Sequence, residues 1–463
     1  MRFTTWPPFR RALPLVAAAG LATFSIGGWL LGGPAGGFRI WQALYVAGAI
    51  GYFALLAWCA SRRHVAWGLI FLAAVAVRVP LLATPPDSDC YRYVWEGRIQ
   101  RLGLNPFEVA PDDPRLIPWR DVVWERIEKK HYPTIYPPLA QLVFSFVAAR
   151  WYDPKAMQIT ACAFDLLVVG LLMSTLRALR RPAWWSAYYA FSPIVLASFA
   201  HAGHIDALML ALLVLFVRAL VEIRKQRSDA ATLAQTPERP GQATTGRVPA
   251  SMPEARANAA ALSAGLFLGV AVLAKTVPAI LAAVLWRRRR LGIVVAAAIV
   301  ILGYLPFADA GRGLFFTLFD FPRQDRFNGP LDLLLGDSLR LRVRNAIALL
   351  ILAALTLLVL IRPRRVEQDA RRLLSGVVLL LPIVHYWYVT WPLTLLALLP
   401  SRPLSWLGLT ASMVIYWNAP HSYATGGAWG LSWRETAAVW APFFVLWAAE
   451  LTFSLAKRRG QPA

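Results

Sequence analysis

The chain of 463 residues is 58% hydrophobic and only 16% charged, with a mean hydropathy of +0.50, whereas about a quarter of a soluble globular chain is charged. Apolar runs near the bilayer-spanning length of about 20 residues recur without period-two alternation, so a soluble globule and a β-barrel are both excluded in favour of an all-α polytopic membrane protein. The net charge of +23 lies in short clusters beside those runs, such as "SRRH" at Ser61, "RALRR" at Arg177, "RRRR" at Arg287, "RPRR" at Arg362 and "KRR" at Lys457, which is a topology signal and not a nucleic-acid surface.

Placing the basic flanks inside orders the spans. The opening "MRFTTWPPFRR" has the charge of a signal peptide, but a long apolar stretch without a convincing cleavage site follows it, so it reads as a retained first span. Residues 12–33 run outward, 40–60 return and 65–83 run outward again. Residues 1–83 thus form the N-terminal membrane unit, and 84–135 an outer, periplasmic loop rich in acids and prolines. Residues 137–150 are short for a crossing and would put "RALRRP" outside, so they dip in and stay on the outer side, and 156–176 cross inward. Residues 183–200 go out and 204–222 return, completing a membrane unit over 136–224. The polar stretch 225–257 predicts a flexible cytoplasmic loop. The C-terminal unit 258–463 follows. Both flanks of 259–286 are basic or polar, which predicts two short helices with Lys275 near the outer turn. Then 291–307 go out, 308–345 form a second outer loop, 346–361 return, 374–384 go out, 387–400 return, 404–418 go out and 436–455 end inside. Cys59, Cys90 and Cys162 form no CxxC pair, so neither a zinc site nor a disulfide framework is indicated.

On this topology Asp87, Asp89, His201, His204, Asp206, Lys275, Asn328 and His385 all fall near the outer membrane boundary, although they come from distant parts of the chain. That convergence predicts a site facing outward. Asp87 and Asp89 in "PPDSDCYRYVWEGR" follow the third span at once. Desolvation there raises a carboxyl's proton affinity while nearby arginines lower it, and such a group suits general-base work on a hydroxyl; the alternative is a cap on the helix that follows. Arg92 and Arg98 either grip a phosphate or pair with Asp89 and Glu96. In "HAGHIDAL", His204 and Asp206 stand two apart and do not share a helix face, which argues for substrate contact or pairing with other helices over a metal. Lys275, in "VAVLAKTVPAIL", needs an anion or a route to the interface, and a lipid phosphate is the candidate. His385 in "PIVHYWYVTWPL" lies among aromatics that either mark the interface or line a sugar site. Asn328 lies on the second outer loop. Tyr136, in "YPTIYPPLAQ", belongs to a rigid turn that is scaffold first and a wall of the site second.

The blocks "SDCYRYVWEGRIQRLGLNPFEVAPDDPRL", "HYPTIYPPLAQ", "AGHIDAL", "LAKTVP" and "HYWYVTWPL" resemble bacterial membrane glycosyltransferases of the GT-C superfamily, namely the family 87 and polyprenol-phosphate-mannose-dependent mannosyltransferase groups. They run from about Asp87 to Trp391. The resemblance implies a multi-span GT-C helical bundle whose large first outer loop carries the catalytic acid, matched best by Asp89. It also implies a polyprenyl-phosphate sugar donor, with transfer outside the cytoplasm. The sequence departs from the pattern with "GHID" where "GHND" is frequent and "WEGR" where "WDGR" is frequent.

The expectation that follows is an inverting hexosyltransferase of the cytoplasmic membrane, a mannosyltransferase in the first instance. Asp89 is its base and Asp87 the companion acid. Lys275, Arg92 and Arg98 hold the donor phosphate, and His204, Asp206, His385, Tyr136 and Asn328 touch the sugar or an envelope glycolipid or glycan acceptor. The chemistry requires no cofactor and is compatible with a divalent ion, Mg or Mn. The other reading is a transporter or flippase of polyprenyl-linked sugars that performs no chemistry. The absence of a clear internal repeat weighs against it.

Overall fold

In lipid the backbone must satisfy its own polar groups, so long apolar runs without breakers become long helices. The computed structural model describes residues 7–62, 65–235, 251–286, 290–324, 326–336 and 339–459. Among the described residues every regular element is helical, and the one departure is an isolated bridge between Phe327 and Ile383. Among the described residues six helical runs are long and apolar enough to cross a membrane, Arg11–Leu31, Phe38–Ala60, Pro154–Ala178, Arg290–Arg323, Leu341–Ile361 and Trp433–Ala456, or seven if the bent pair Trp67–Ala83 and Ser88–Arg101 is one span. The chain is therefore an all-helical, multi-pass membrane protein.

The principal elements are α1 (Pro7–Leu31), α2 (Phe38–Ala60), α3 (Trp67–Ala76), α4 (Ser88–Arg101), α5 (Pro138–Arg150), α6 (Pro154–Ala178), α7 (Asp206–Gln235), α8 (Ser251–Ala274), α9 (Arg290–Tyr304), α10 (Leu341–Ile361), α11 (Val366–Leu380), α12 (Thr390–Leu398), α13 (Leu404–Ser412) and α14 (Trp433–Arg459). Helices α1 and α2 pack as a hairpin whose backbones meet at Gly20 and Gly51, where a Cβ on Gly20 would come 2.5 Å from the Ala47 carbonyl oxygen. After α3 the chain bends by 81° into α4, which carries two acids and three arginines, and the bend breaks what would otherwise be a seventh apolar run. Helix α5 has 13 residues, about 20 Å at 1.5 Å per residue, too short to cross the roughly 30 Å hydrocarbon core.

Helices α6 and α3 are joined inside the apolar layer by a buried ion pair. The Arg78 guanidinium donates to Asp165 at 2.6 and 3.3 Å and to the carbonyls of Ala74 and Ala190. Each charge answers the other, which is how such groups are tolerated there.

Several stretches depart from the sequence expectation. The crossings expected at 374–384, 387–400 and 404–418 fall on helices of 15, 9 and 9 residues, shorter than a full span needs. Residues 183–201 are not one crossing helix. They form short 3₁₀, α and π turns, and nearly all of them are buried. Irregular backbone survives at this depth because protein encloses it. The polar stretch 225–257 is helical on both sides, since α7 runs on to Gln235 and α8 starts at Ser251. Extending an existing helix avoids the cost of a new nucleus, and Ala, Arg, Lys and Gln are good formers. Residues 236–250 lie outside the described residues. The stretch 308–345, expected as a second outer loop, is largely helical among its described residues and ends in α10, which starts at Leu341.

Candidate active site

The acid pair sits at the bend before α4. Asp87 has extended backbone geometry and caps that helix, accepting the Asp89 amide at 3.4 Å and the Ser88 hydroxyl at 3.0 Å. This is the capping reading of the sequence, and it applies to Asp87 alone. Asp89 turns instead towards His204, whose Nδ1 lies 3.2 Å from its Oδ2. The Tyr93 hydroxyl, one helical turn on, donates to the same oxygen at 3.3 Å.

His204 reaches Asp89 because the chain breaks its helical path just before it. A π turn covers Leu196–His201, and Gly203 then adopts φ +80°. A Cβ at Gly203 would fall 2.5 Å from Cys90 Sγ and 2.9 Å from Gln158 Cα, so only glycine allows this approach. The break is tied to the start of α4, with the Asp87 amide donating to the Ala202 carbonyl at 3.2 Å and Cys90 Sγ to the same oxygen at 3.3 Å. Gln158 on α6 donates to the carbonyls of Ala200 and His201. His201 itself pairs with the Thr84 hydroxyl at 2.7 Å, behind the acids.

The 382–391 region supplies the facing wall. The rings of His204, Trp387 and His385 form one stack, with centroids 3.6 Å and 4.2 Å apart and the second pair 3° from parallel. His385 Nδ1 lies 2.9 Å from the Tyr416 hydroxyl, and Tyr386 stands edge-on to His204. Asp206 and Lys275 form a second polar centre. The Lys275 ammonium donates to both carboxylate oxygens at 2.7 and 2.8 Å, and the Trp391 indole N–H donates to Oδ1 at 2.8 Å. The ammonium also lies over the Tyr388 and Trp391 rings, 5.0 and 5.3 Å from their centroids. His204 and Asp206 thus diverge to different partners, as their spacing requires.

The electrostatics separate the two acids. Burial pushes Asp87 above the ordinary carboxylate range, with Asp89 adding repulsion and His204 opposing it. At Asp89 the upward push of burial is outweighed by the hydrogen bond and charge of His204, helped by Lys275, and its value falls to about 2. Of the two opposing effects expected at Asp89, the lowering one prevails, and the cations that supply it are His204 and Lys275 from distant segments, not the arginines of α4. The Asp89 side chain remains 30% exposed and that of Lys275 18%, whereas those of His204 and Asp206 are buried.

The remaining expected residues are placed elsewhere. Arg92 is buried, bonded to Glu96 at 2.7 Å and to the carbonyls of Glu128, Lys129, Tyr132 and Pro133. It folds the outer loop onto α4 and has its donors committed there. Arg98 stands nine residues beyond Asp89, about 13 Å along the helix. It pairs with Asp121 at 2.6 Å and stacks on Tyr152. Arg92 follows the pairing alternative with Glu96, whereas Arg98 takes Asp121, a partner the sequence reading did not name, and neither pairs with Asp89. Asn328 is buried with φ +53° and donates to the Val384 carbonyl at 3.1 Å. Trp440 donates to Asn328 in turn. Asn328 therefore fixes the backbone next to His385 and does not face the acids. Tyr136 packs edge-on to Tyr93, whose hydroxyl holds Asp89, so it backs the site at one remove.

Sequence reasoning missed Tyr93, Trp387, Trp391 and Tyr416. The four-residue spacing from Asp89 marks Tyr93, but no local pattern marks the other three. Among the described residues no three His, Cys, Asp or Glu side chains gather as a metal site would need.

No family model and no curated protein matches the sequence. The crystal structure of ArnT from Cupriavidus metallidurans bound to undecaprenyl phosphate is a distant structural likeness. It shares 15% identity over 85% of this chain and 73% of that one, with a TM-score of 0.42. That degree of likeness assigns neither a family nor an activity.

Proposed function

We propose that the protein is a membrane glycosyltransferase of the GT-C kind. It moves a hexose, mannose in the first instance, from a polyprenyl-phosphate carrier to a hydroxyl of an envelope glycolipid or glycan on the outer face of the cytoplasmic membrane. The observation that carries this reading is one ionised carboxylate, Asp89, and one ammonium, Lys275, each partly open and set among buried partners drawn from distant segments.

Asp89 accepts the proton of the acceptor hydroxyl as that oxygen attacks the anomeric carbon opposite the phosphate. The C–O bond to phosphate breaks, and the configuration inverts through an oxocarbenium-like transition state. A carboxylate held near 2 is ionised throughout the working range but is a weak base. It therefore takes the proton late, once the forming bond has made the hydroxyl acidic. Lys275 has three N–H donors, and two of them point to Asp206. The third serves the leaving phosphate, where charge grows in the transition state. His204 and Tyr93 hold the Asp89 carboxylate in place, and the His204–Trp387–His385 stack offers a flat wall to a sugar. The balance of this reaction needs no cofactor, and no step is routed through Mg or Mn.

The test is transfer of label from polyprenyl-phosphate mannose to extracted envelope glycolipids by purified protein, with Asp89→Asn alongside. Transfer by wild type and none by the folded variant supports the reading. Equal transfer by both overturns the role of Asp89. A carrier that only moves lipid-linked sugars across the bilayer forms no new glycosidic bond, so the same assay separates that alternative.

A further inference from the structure

The end of the bundle opposite the acid cluster gathers guanidinium groups beyond what topology alone asks for. Arg181 follows α6, Arg364 lies between α10 and α11, Arg371 and Arg372 stand on α11, and Arg402 lies on the turn before α13. Shared partners bring them together. Arg371 donates to the Leu399 carbonyl at 3.4 Å and to the Ser401 carbonyl and hydroxyl at 2.7 and 2.6 Å. Arg181 donates to the Leu398 carbonyl at 2.8 Å and pairs with Glu367 at 2.6 Å. Asp369 accepts the Arg364 amide at 2.7 Å and stands 3.6 Å from Arg372 Nη1.

The acids present do not balance these charges. Glu367 and Asp369 are buried and already engaged. Glu450 accepts the backbone amides of Leu404 and Ser405. Five guanidiniums thus face three carboxylates. Arg372 Nη1 makes only the long ion pair to Asp369 at 3.6 Å, and the charges of Arg364 and Arg402 both bear on it. Clustered like charges repel, and clustered guanidiniums fit phosphate oxygens well. Apolar surface adjoins the cluster: exposed Leu358 and Ile361 end α10 just before it, and exposed Leu404 follows Arg402.

We propose that this arginine cluster is a binding site for the phosphate of an anionic lipid headgroup, with Arg372 and Arg402 as its principal donors and the lipid chains lying over the end of α10. Basic pockets between helices at a membrane face recognise such headgroups by charge and fork geometry.

The experiment measures lipid retained by the full-length protein in native mass spectrometry, and its unfolding temperature in detergent, with added phosphatidylglycerol, phosphatidylcholine or inorganic phosphate. Phosphatidylglycerol is expected to be retained and to raise the unfolding temperature, and phosphatidylcholine is not. Arg372→Gln and Arg402→Gln each weaken retention roughly fivefold, about what one basic residue near a membrane surface contributes. Arg372→Lys, which keeps the charge, restores part of the effect. Arg115→Gln, in the distant outer loop where Arg115 pairs with Asp113, leaves retention unchanged. Should Arg372→Gln fail to fold, the half-buried turn residue Arg402 carries the test alone. Equal retention of both lipids, or an Arg115→Gln loss as large as that of Arg402→Gln, overturns the proposal. So does stabilisation by inorganic phosphate that matches the lipid's, since the ligand is then a soluble anion.

Discussion

The Lys275–Asp206 pair yields the sharpest stability prediction. Asp206 is buried and accepts hydrogen bonds from Lys275 at 2.7 and 2.8 Å and from the Trp391 indole at 2.8 Å. Breaking a buried ion pair from one side typically costs 3–5 kcal/mol, because a charge is left without its partner. Lys275 keeps 18% of its surface, so the lower end applies. Asp206→Leu and Lys275→Met should each lose about 3 kcal/mol. The double variant removes both charges and leaves only the indole N–H without an acceptor, a loss of about 3 kcal/mol at most. Independent effects would sum to about 6 kcal/mol, so the predicted coupling is about 3 kcal/mol. Unfolding in mixed detergent micelles at increasing SDS fraction, followed by tryptophan fluorescence, measures all four proteins. A double variant as unstable as the sum of the singles refutes the reasoning, as do singles within about 0.5 kcal/mol of wild type.

Other predictions follow from the same geometry. Because Asp89 is held at about 2, its stabilising effect is complete above the ordinary carboxylate value and is lost as pH falls from about 4 to about 2. The transfer rate should therefore show no acid limb from this group near pH 4. His204→Ala removes the partner that outweighs burial, so an acid limb should move up into the weakly acidic range, read from rate against pH. Gly203→Ala forces a left-handed residue against Cys90 and Gln158, and it should lower stability by at least about 2 kcal/mol and abolish transfer. Arg92→Gln leaves the carbonyls of 128–133 without their common donor, and limited proteolysis should find new cleavage in that stretch.

Much of this arrangement was legible before the structure. Helix class and the six long spans follow from apolar length, because a bilayer leaves the backbone few choices, whereas the shorter expected crossings do not appear as single long helices. The gathering of Asp89, His204, Asp206, Lys275 and His385 followed from topology alone, since charges rarely lie near the membrane without a common reason. Pairwise chemistry was harder to read. Arg92 and Arg98 have the right charge for phosphate, but the loop they bind is as anionic and carbonyl-rich as any ligand, and it is covalently near. Trp387 could not be singled out among aromatics that either mark the interface or line a sugar site, because the register of a 3₁₀ turn decides which ring stands between two histidines. The π turn at 196–201 carries no sequence mark except the glycine two residues beyond it.

The broken segment 183–201 also bears on how the protein is made. Its backbone polar groups depend on side chains from α6 and on the start of α4. Alone in lipid, each unpaired group would cost several kcal/mol, so this stretch has no stable solitary form across the bilayer. The segment also packs against α12, which lies almost two hundred residues further along the chain, so it settles only once both sides of its enclosure are made. The turn that ends it carries His204 to Asp89, so closing the segment and placing that histidine are one event.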